Sequence, residues 1–158
     1  MIVRNARPLD RPTLVRFMAA LQEFERGLEA NRTPGGEMAE GHLTALESWA
    51  AEHPAGGVLV AKIANQLVGF IIFGVDRAMG TYVPEKTRSV GRISDLWVEP
   101  DHRGCGVTRA LIDAAEARLR GAGLKRVEIY AVAGNANALR LYQALGYGPY
   151  EVSLAKRL

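Results

Sequence analysis

Residues 103–109, RGCGVTR, carry the densest chemical signal in the chain. Gly104 and Gly106 free the backbone to turn tightly, so the N–H groups of Gly104, Cys105, Gly106, Val107 and Thr108 can converge on one small volume. A helix should begin there, because Leu111, Ala114, Ala115 and Leu119 follow at helical spacing. The first amides of a helix lack internal partners and its dipole favours an anion, so the loop reads as a backbone phosphate cradle. It is no P-loop, since neither Gly-Lys-Ser nor Gly-Lys-Thr follows. A dinucleotide fingerprint needs a third glycine where this chain has Arg109, and a strand running straight into the first glycine, whereas EPDH intervenes. Taken alone, the loop leaves two readings open, an anion site and a plain strand-to-helix turn.

The elements that must position this loop follow from periodicity. Residues 2–7 read as a strand stopped by Pro8, and Asp10 is placed to cap a helix carrying Leu14, Phe17, Met18, Leu21 and Phe24 as far as Gly27. Pro34, Gly35 and Gly36 break the pattern, and a second helix is expected over residues 38–51. VLVAKIA and LVGFIIFGV, on either side of Asn65 and Gln66, read as a β-hairpin. GRISDLWV is a further strand that ends before Pro100, VEIYAVA from Val127 a buried one, residues 135–145 a last helix and residues 150–154 a terminal strand. Antiparallel and βαβ patterns in one chain imply a single α/β domain over residues 1–158, with a twisted mixed sheet and helices on both faces.

The stretch ISDLWVEPDHRGCGVTRALIDAAEARLRGAG resembles the acetyl-CoA-binding core of the GNAT superfamily of N-acetyltransferases. Arg103, Gly106 and Thr108 sit on that core's Arg/Gln-x-x-Gly-x-Gly/Ala pattern, with Thr108 departing from the small last residue. NANALRLYQALGY looks like the family's later block, matched by Asn135, Ala138 and Tyr142, and VRNARPLD is similar to its usual opening. The resemblance implies about six to seven strands flanked by about four helices, and acetyl-CoA as cofactor with CoA as product. It also implies that the strand ending in Leu96, Trp97 and Val98 parts from its neighbour, so that main-chain groups of these residues pair with the pantetheine amides, as in β-augmentation. Arg103, Gly104, Cys105, Gly106, Val107 and Thr108 would hold the pyrophosphate, and Asn135 and Ala138 would stand near the pantetheine arm. Cys105 is then a tolerated small residue and not an acyl carrier.

In such an enzyme Tyr142 is the general acid for the departing thiolate, since a phenol of ordinary pKa about 10 stays protonated at neutral pH. Its other reading is a core tyrosine beside Leu139, Leu141 and Leu145. For the proton acceptor the sequence offers less. Histone-type members carry a glutamate where this chain has Arg92, and polyamine-type members carry acids where it has Ser94 and Asp95, so Asp95 inherits the role. Simple alternation puts Asp95 on one face with Ile93 and Trp97, where a functional carboxylate and a structural ion pair are equally open. Glu128 and Tyr130 are reserves. Glu23, Glu25, Glu29, Glu37 and Glu40 form an acidic rim suited to a cationic amine, or a solvated helix face, and Trp97 and Tyr82 could shape the acceptor pocket.

The remaining composition narrows the field. One cysteine allows no internal disulfide, and three separated histidines give no metal-ligand spacing. A net charge of +3 with scattered basic residues gives little reason for nucleic acid. Residues 67–75 are interrupted by Gly69 and Gly74, and Arg4 and Arg7 stand where a signal peptide would be apolar, so the expected location is cytoplasmic and no membrane is implied. The expectation is an N-acetyltransferase acting on an amine acceptor in a ternary complex, with a homodimer left open. A CoA-binding sensor of the same fold is the alternative, supported by Arg92 and opposed by Tyr142.

Overall fold

The computed structural model describes residues 1–158 apart from Tyr82 and Arg157, so the expectation for Tyr82 lies outside the described residues. In chain order it comprises β1 (Ile2–Asn5), α1 (Arg11–Arg26), α2 (Gly35–Ala51), β2 (Gly57–Ile63), β3 (Gln66–Arg77), β4 (Ser89–Val98), α3 (Val107–Gly121), β5 (Val127–Ile129) and α4 (Ala136–Ala144). The strands form one sheet in the order β1-β2-β3-β4-β5, antiparallel except for the β4–β5 pair. Among the described residues no helix is long and apolar enough to cross a membrane.

Both faces of the sheet are covered. Leu14, Phe17 and Met18 lie at i, i+3 and i+4 on one face of α1 and pack with Leu43 of α2 onto Val60, Phe70, Ile72 and Trp97. Leu111, Ile112, Ala115 and Leu119 of α3 bury against Leu59, Ile71, Phe73 and Ile93 on the opposite face. Burial of each large side chain contributes about 1.5–3 kcal/mol, which fixes β4 firmly between the layers. Three local expectations need correction. Asp10 does not cap α1; its carboxylate takes the Arg4 guanidinium at 2.6 and 3.0 Å and the Arg7 N–H at 2.7 Å, tying β1 to the helix start. The hairpin turn is Ala64 and Asn65, both at positive φ, not Asn65 and Gln66, because a two-residue turn of this hand needs two left-handed residues. The second helix starts at Gly35, where an added Cβ would lie 2.3 Å from the Ala19 carbonyl oxygen, so glycine here lets the chain reverse tightly onto α1.

The sheet has five strands where about six to seven were expected. β5 pairs with β4 only from Val127 to Ile129, and residues 150–154 have no ladder although they alternate like a strand. The missing strand thus belongs to the C-terminal edge, where β5 has no neighbour on its outer side among the described residues.

Candidate active site

β4 runs through a short turn, Pro100–His102, into the glycine loop and α3. Gly104 and Gly106 take φ of 75° and 80°, a left-handed backbone that a residue with Cβ adopts at a cost. Ala110 is the first amide to bond back, to the Gly106 carbonyl at 3.0 Å; the six before it, from Gly104 to Arg109, have no acceptor among the described residues. A Cβ placed on Gly104 or Gly106 meets nothing within 4 Å, so the loop is open at both glycines. Six free amides at a helix start suit an anion with several oxygens.

The side chains of the loop do other things. Val107 is buried and anchors α3 to the core, while Cys105 is exposed. Arg103 turns away from the amides: its Nε donates to the Val98 carbonyl at 3.0 Å, and its guanidinium lies 4.7 Å from the Trp97 ring centroid and 5.6 Å from that of Phe24. It ties the loop to the end of β4 and to α1. Thr108 is half-buried on the first turn.

The β4–β5 ladder ends at Ile93 and Ile129, and β4 continues for five residues paired only with β3 among the described residues. On the β5 side, Leu96, Trp97 and Val98 therefore carry an edge with no strand beside it among the described residues, where an extended ligand could add one. Asn135 accepts from the Ala138 N–H at 3.1 Å, so both residues form the α4 cap.

A register shift changes the reading of Asp95. Asp95 pairs with Ile72 while Ile93 pairs with Phe73, which leaves Ser94 as a bulged residue. Beyond the bulge the alternation inverts: Ile93 faces α3, whereas Asp95 shares the α1–α2 face with Trp97. The expected grouping of Asp95 with Ile93 fails for this reason. There the Ser94 hydroxyl donates to Asp95 Oδ2 at 2.5 Å, and His42 Nε2 of α2 lies 3.8 Å from Asp95 Oδ1. Burial raises the Asp95 pKa, against the lowering effects of the Ser94 hydroxyl, His42 and Arg32.

Glu25 of α1 joins the cluster. It is paired with Arg32 at 2.6 Å; burial pushes its pKa up, Arg32 opposes this, and the Asp95 charge adds to it. Tyr142 packs on the α3-side core beside Tyr147, with ring centroids 6.1 Å apart. Its phenol is pushed up to about 12, first by burial and then by the charge of Glu25. The charge of Glu25 thus bears on both the Asp95 carboxyl and the Tyr142 phenol. Among the other rim acids, Glu23 bonds Arg26 and the Gly35 N–H, Glu29 takes the Asn31 N–H and Glu40 pairs with Arg11. Of the reserves, Glu128 is paired with Arg126 at 3.1 Å, and Tyr130 is exposed with its hydroxyl 3.3 Å from Arg92. Arg92 itself is bound to Asp76 at 2.8 Å. Glu25 was visible only as one acid of a rim, and His42 and Arg32 carried no sequence signal, since they meet Asp95 only through packing of α1 and α2 on the sheet.

Comparison with known proteins gives a consistent picture. The model of the acetyltransferase (GNAT) family matches residues 20–147. A mycothiol acetyltransferase of Thermobispora bispora is 36% identical over 102 residues, 64% of this chain and 33% of that protein. One of Beutenbergia cavernae is 34% identical over 142 residues, 80% of this chain and 47% of that protein. The chain thus spans between a third and a half of these relatives. The crystal structure of a tetramutant of the BH1408 protein from Bacillus halodurans superposes with a TM-score of 0.81 at 21% identity, covering 100% of both chains. At that identity the likeness concerns the fold alone.

Proposed function

The chain belongs to the acetyltransferase (GNAT) family, and from that premise we propose that it is an acetyl-CoA-dependent N-acetyltransferase that passes the acetyl group directly to a primary amine. The observation that carries this reading is the run of six unspent amides from Gly104 to Arg109, set beside the unpaired end of β4. Unspent donors in a loop that is open at both glycines fit the pyrophosphate of CoA, and the β5-side edge of Leu96, Trp97 and Val98 fits its pantetheine amides. Acetyl-CoA supplies an activated acyl group, so no nucleophile is asked of the chain, and Cys105 needs no covalent role.

The two proton tasks then fall to different sides of the cleft. Tyr142 remains protonated at neutral pH and donates to the departing sulfur. Asp95, whose proton affinity is raised by burial, accepts the proton that the attacking ammonium must shed, with Ser94 holding one oxygen and His42 close to the other. Glu25 adds negative charge that suits a cationic acceptor.

Thermal shift with acetyl-CoA, CoA and NAD tests the cofactor: the first two should stabilise the protein and the third should not. Thiol release from acetyl-CoA over an amine panel tests the transfer. Stabilisation by CoA without amine-dependent thiol release would leave a binding module instead of an enzyme.

A further inference from the structure

An acceptor amine that enters as an ammonium loses two N–H protons on becoming an amide. One ends on the sulfur of CoA, and the other must reach solvent in every turnover. Asp95, which takes that proton in the reading above, is poorly placed to shed it alone. Its side chain is only 13% exposed, and the Ser94 hydroxyl occupies Oδ2 at 2.5 Å. Glu25, the other carboxylate of the cluster, is tied to Arg32 at 2.6 Å.

His42 stands at the remaining oxygen. Its Nε2 lies 3.8 Å from Asp95 Oδ1, and its own side chain is 42% exposed. Ala39 and Leu43 are buried and fix the rotation of α2 on the sheet, which leaves His42, between them in sequence, at the rim of that buried face. The imidazole therefore meets solvent while it stands beside a carboxyl that hardly does. Asp95 of β4, Glu25 of α1 and Arg32 of the α1–α2 connection are the charged groups that share this corner among the described residues. An imidazole both takes and gives protons near neutral pH, which no arginine at this place would do. A side-chain rotation or one bridging water closes a gap of 3.8 Å.

We propose that His42 carries the proton from Asp95 to solvent, acting through Asp95 and touching neither acceptor nor cofactor. This role rests on Asp95 being the proton acceptor. An N–H bond of the ammonium breaks as the Asp95 Oδ1–H bond forms, and the freed nitrogen lone pair attacks the thioester carbonyl. Tyr142 gives its proton to the departing sulfur and recovers one from the new amide nitrogen. Asp95 then passes its proton to His42 Nε2, and the imidazolium releases a proton to water. Both groups are restored, and the transfer as a whole frees one proton.

Thiol release from acetyl-CoA, over an amine panel that includes propylamine, putrescine and glucosamine, tests the relay in His42→Gln and His42→Ala. The side chain is exposed, so both variants should melt with the wild type and bind CoA with unchanged Kd. With the amine that turns over fastest, kcat in dilute buffer near neutral pH should fall about tenfold or more, while KM for acetyl-CoA stays within about twofold. Added imidazole, after subtraction of the enzyme-free rate, should restore most of the turnover of His42→Ala and change the wild type little. It should not restore His42→Ala combined with Asp95→Asn, in which no carboxyl is left to discharge. Full turnover in both His42 variants overturns the relay, and so does a loss that imidazole leaves untouched. Rescue of the double variant overturns it as well, because free imidazole is then the base. Asp95→Asn alone separates the two readings. If it is slow while His42→Gln keeps its full rate, only the relay falls; if it keeps its full rate, or no amine releases thiol, the role of Asp95 falls and the relay with it.

Discussion

Ile93 and Asp95, two positions apart on β4, face opposite sides of the sheet, because Ser94 is the extra residue of a bulge against Ile72 and Phe73. Regular alternation would have sent the Asp95 carboxylate to the same side as Ile93, into the layer of Leu111 and Leu119. The bulge instead turns it toward α1 and α2, where Ser94, His42 and the Glu25–Arg32 pair surround it. Bulges re-aim single side chains, and here one converts an uncompensated buried charge into part of a polar cluster.

Asp95→Asn should lower turnover by about 10²- to 10⁴-fold, the span of a general base, with CoA affinity unchanged. In the wild-type enzyme turnover should fall as pH drops through the Asp95 pKa, which burial lifts above the ordinary carboxylate range, and the variant should lose that limb. Stability should move the other way. A carboxyl whose folded pKa is raised favours the folded state most below its ordinary pKa, and that contribution is lost as pH rises through the folded value. At pH 7 Asp95→Asn should therefore melt at or above the wild-type temperature by calorimetry, and a clear loss of stability would make Asp95 a structural ion-pair residue.

Tyr142→Phe keeps the ring on Leu145 and Tyr147 but removes the hydroxyl. Turnover should fall by about 10² or more while the Kd for CoA, measured calorimetrically, stays within about twofold. Because the phenol is pushed up to about 12, no alkaline limb from Tyr142 should appear in the wild-type rate profile below about pH 10. Full turnover in the variant would show that the acid lies elsewhere.

The sequence made the α/β class, the βαβ half and the glycine loop legible, because each rests on local periodicity or on the spacing of Gly104 and Gly106. What it concealed depends on register and packing. Alternation around Ser94 looks regular until the pairing with Ile72 and Phe73 is known. The same holds for Arg103, whose place in the glycine motif suggests a phosphate ligand although its guanidinium lies on Trp97 and Phe24. His42, Arg32 and Glu25 are separated in the chain and come to Asp95 only when α1 and α2 close on the sheet. Residues 150–154 show the converse, a local strand pattern that forms no ladder among the described residues.

Gly106→Ala separates the anion site from the fold. The added methyl meets no protein atom, so the direct structural cost is a left-handed φ of 80°, about 1–2 kcal/mol. For a chain of this length that lowers Tm by about 2–8 °C. The same methyl crowds the loop proposed to hold the pyrophosphate and should weaken CoA binding about tenfold or more. Thermal shift with and without CoA measures both effects, and unchanged CoA affinity would move the pyrophosphate away from this loop.

The tight reversal between α1 and α2 governs how Glu25, Arg32 and His42 meet Asp95, and two glycines of α2 test it in opposite directions. At Gly35 a Cβ would stand 2.3 Å from the Ala19 carbonyl oxygen, and backbone on both sides must shift. Gly35→Ala should cost about 1–3 kcal/mol and, by displacing α2, raise KM for the acceptor more than for acetyl-CoA. Gly41 lies in the same helix with nothing within 4 Å of its Cβ position. Gly41→Ala should stabilise by about 0.5–1 kcal/mol through helix propensity, with kinetics unaltered. Calorimetry and steady-state rates on the two variants check the contrast. Equal melting temperatures for both would mean that the α1–α2 crossing tolerates a methyl at Gly35, and that this glycine does not set the geometry of the acceptor side.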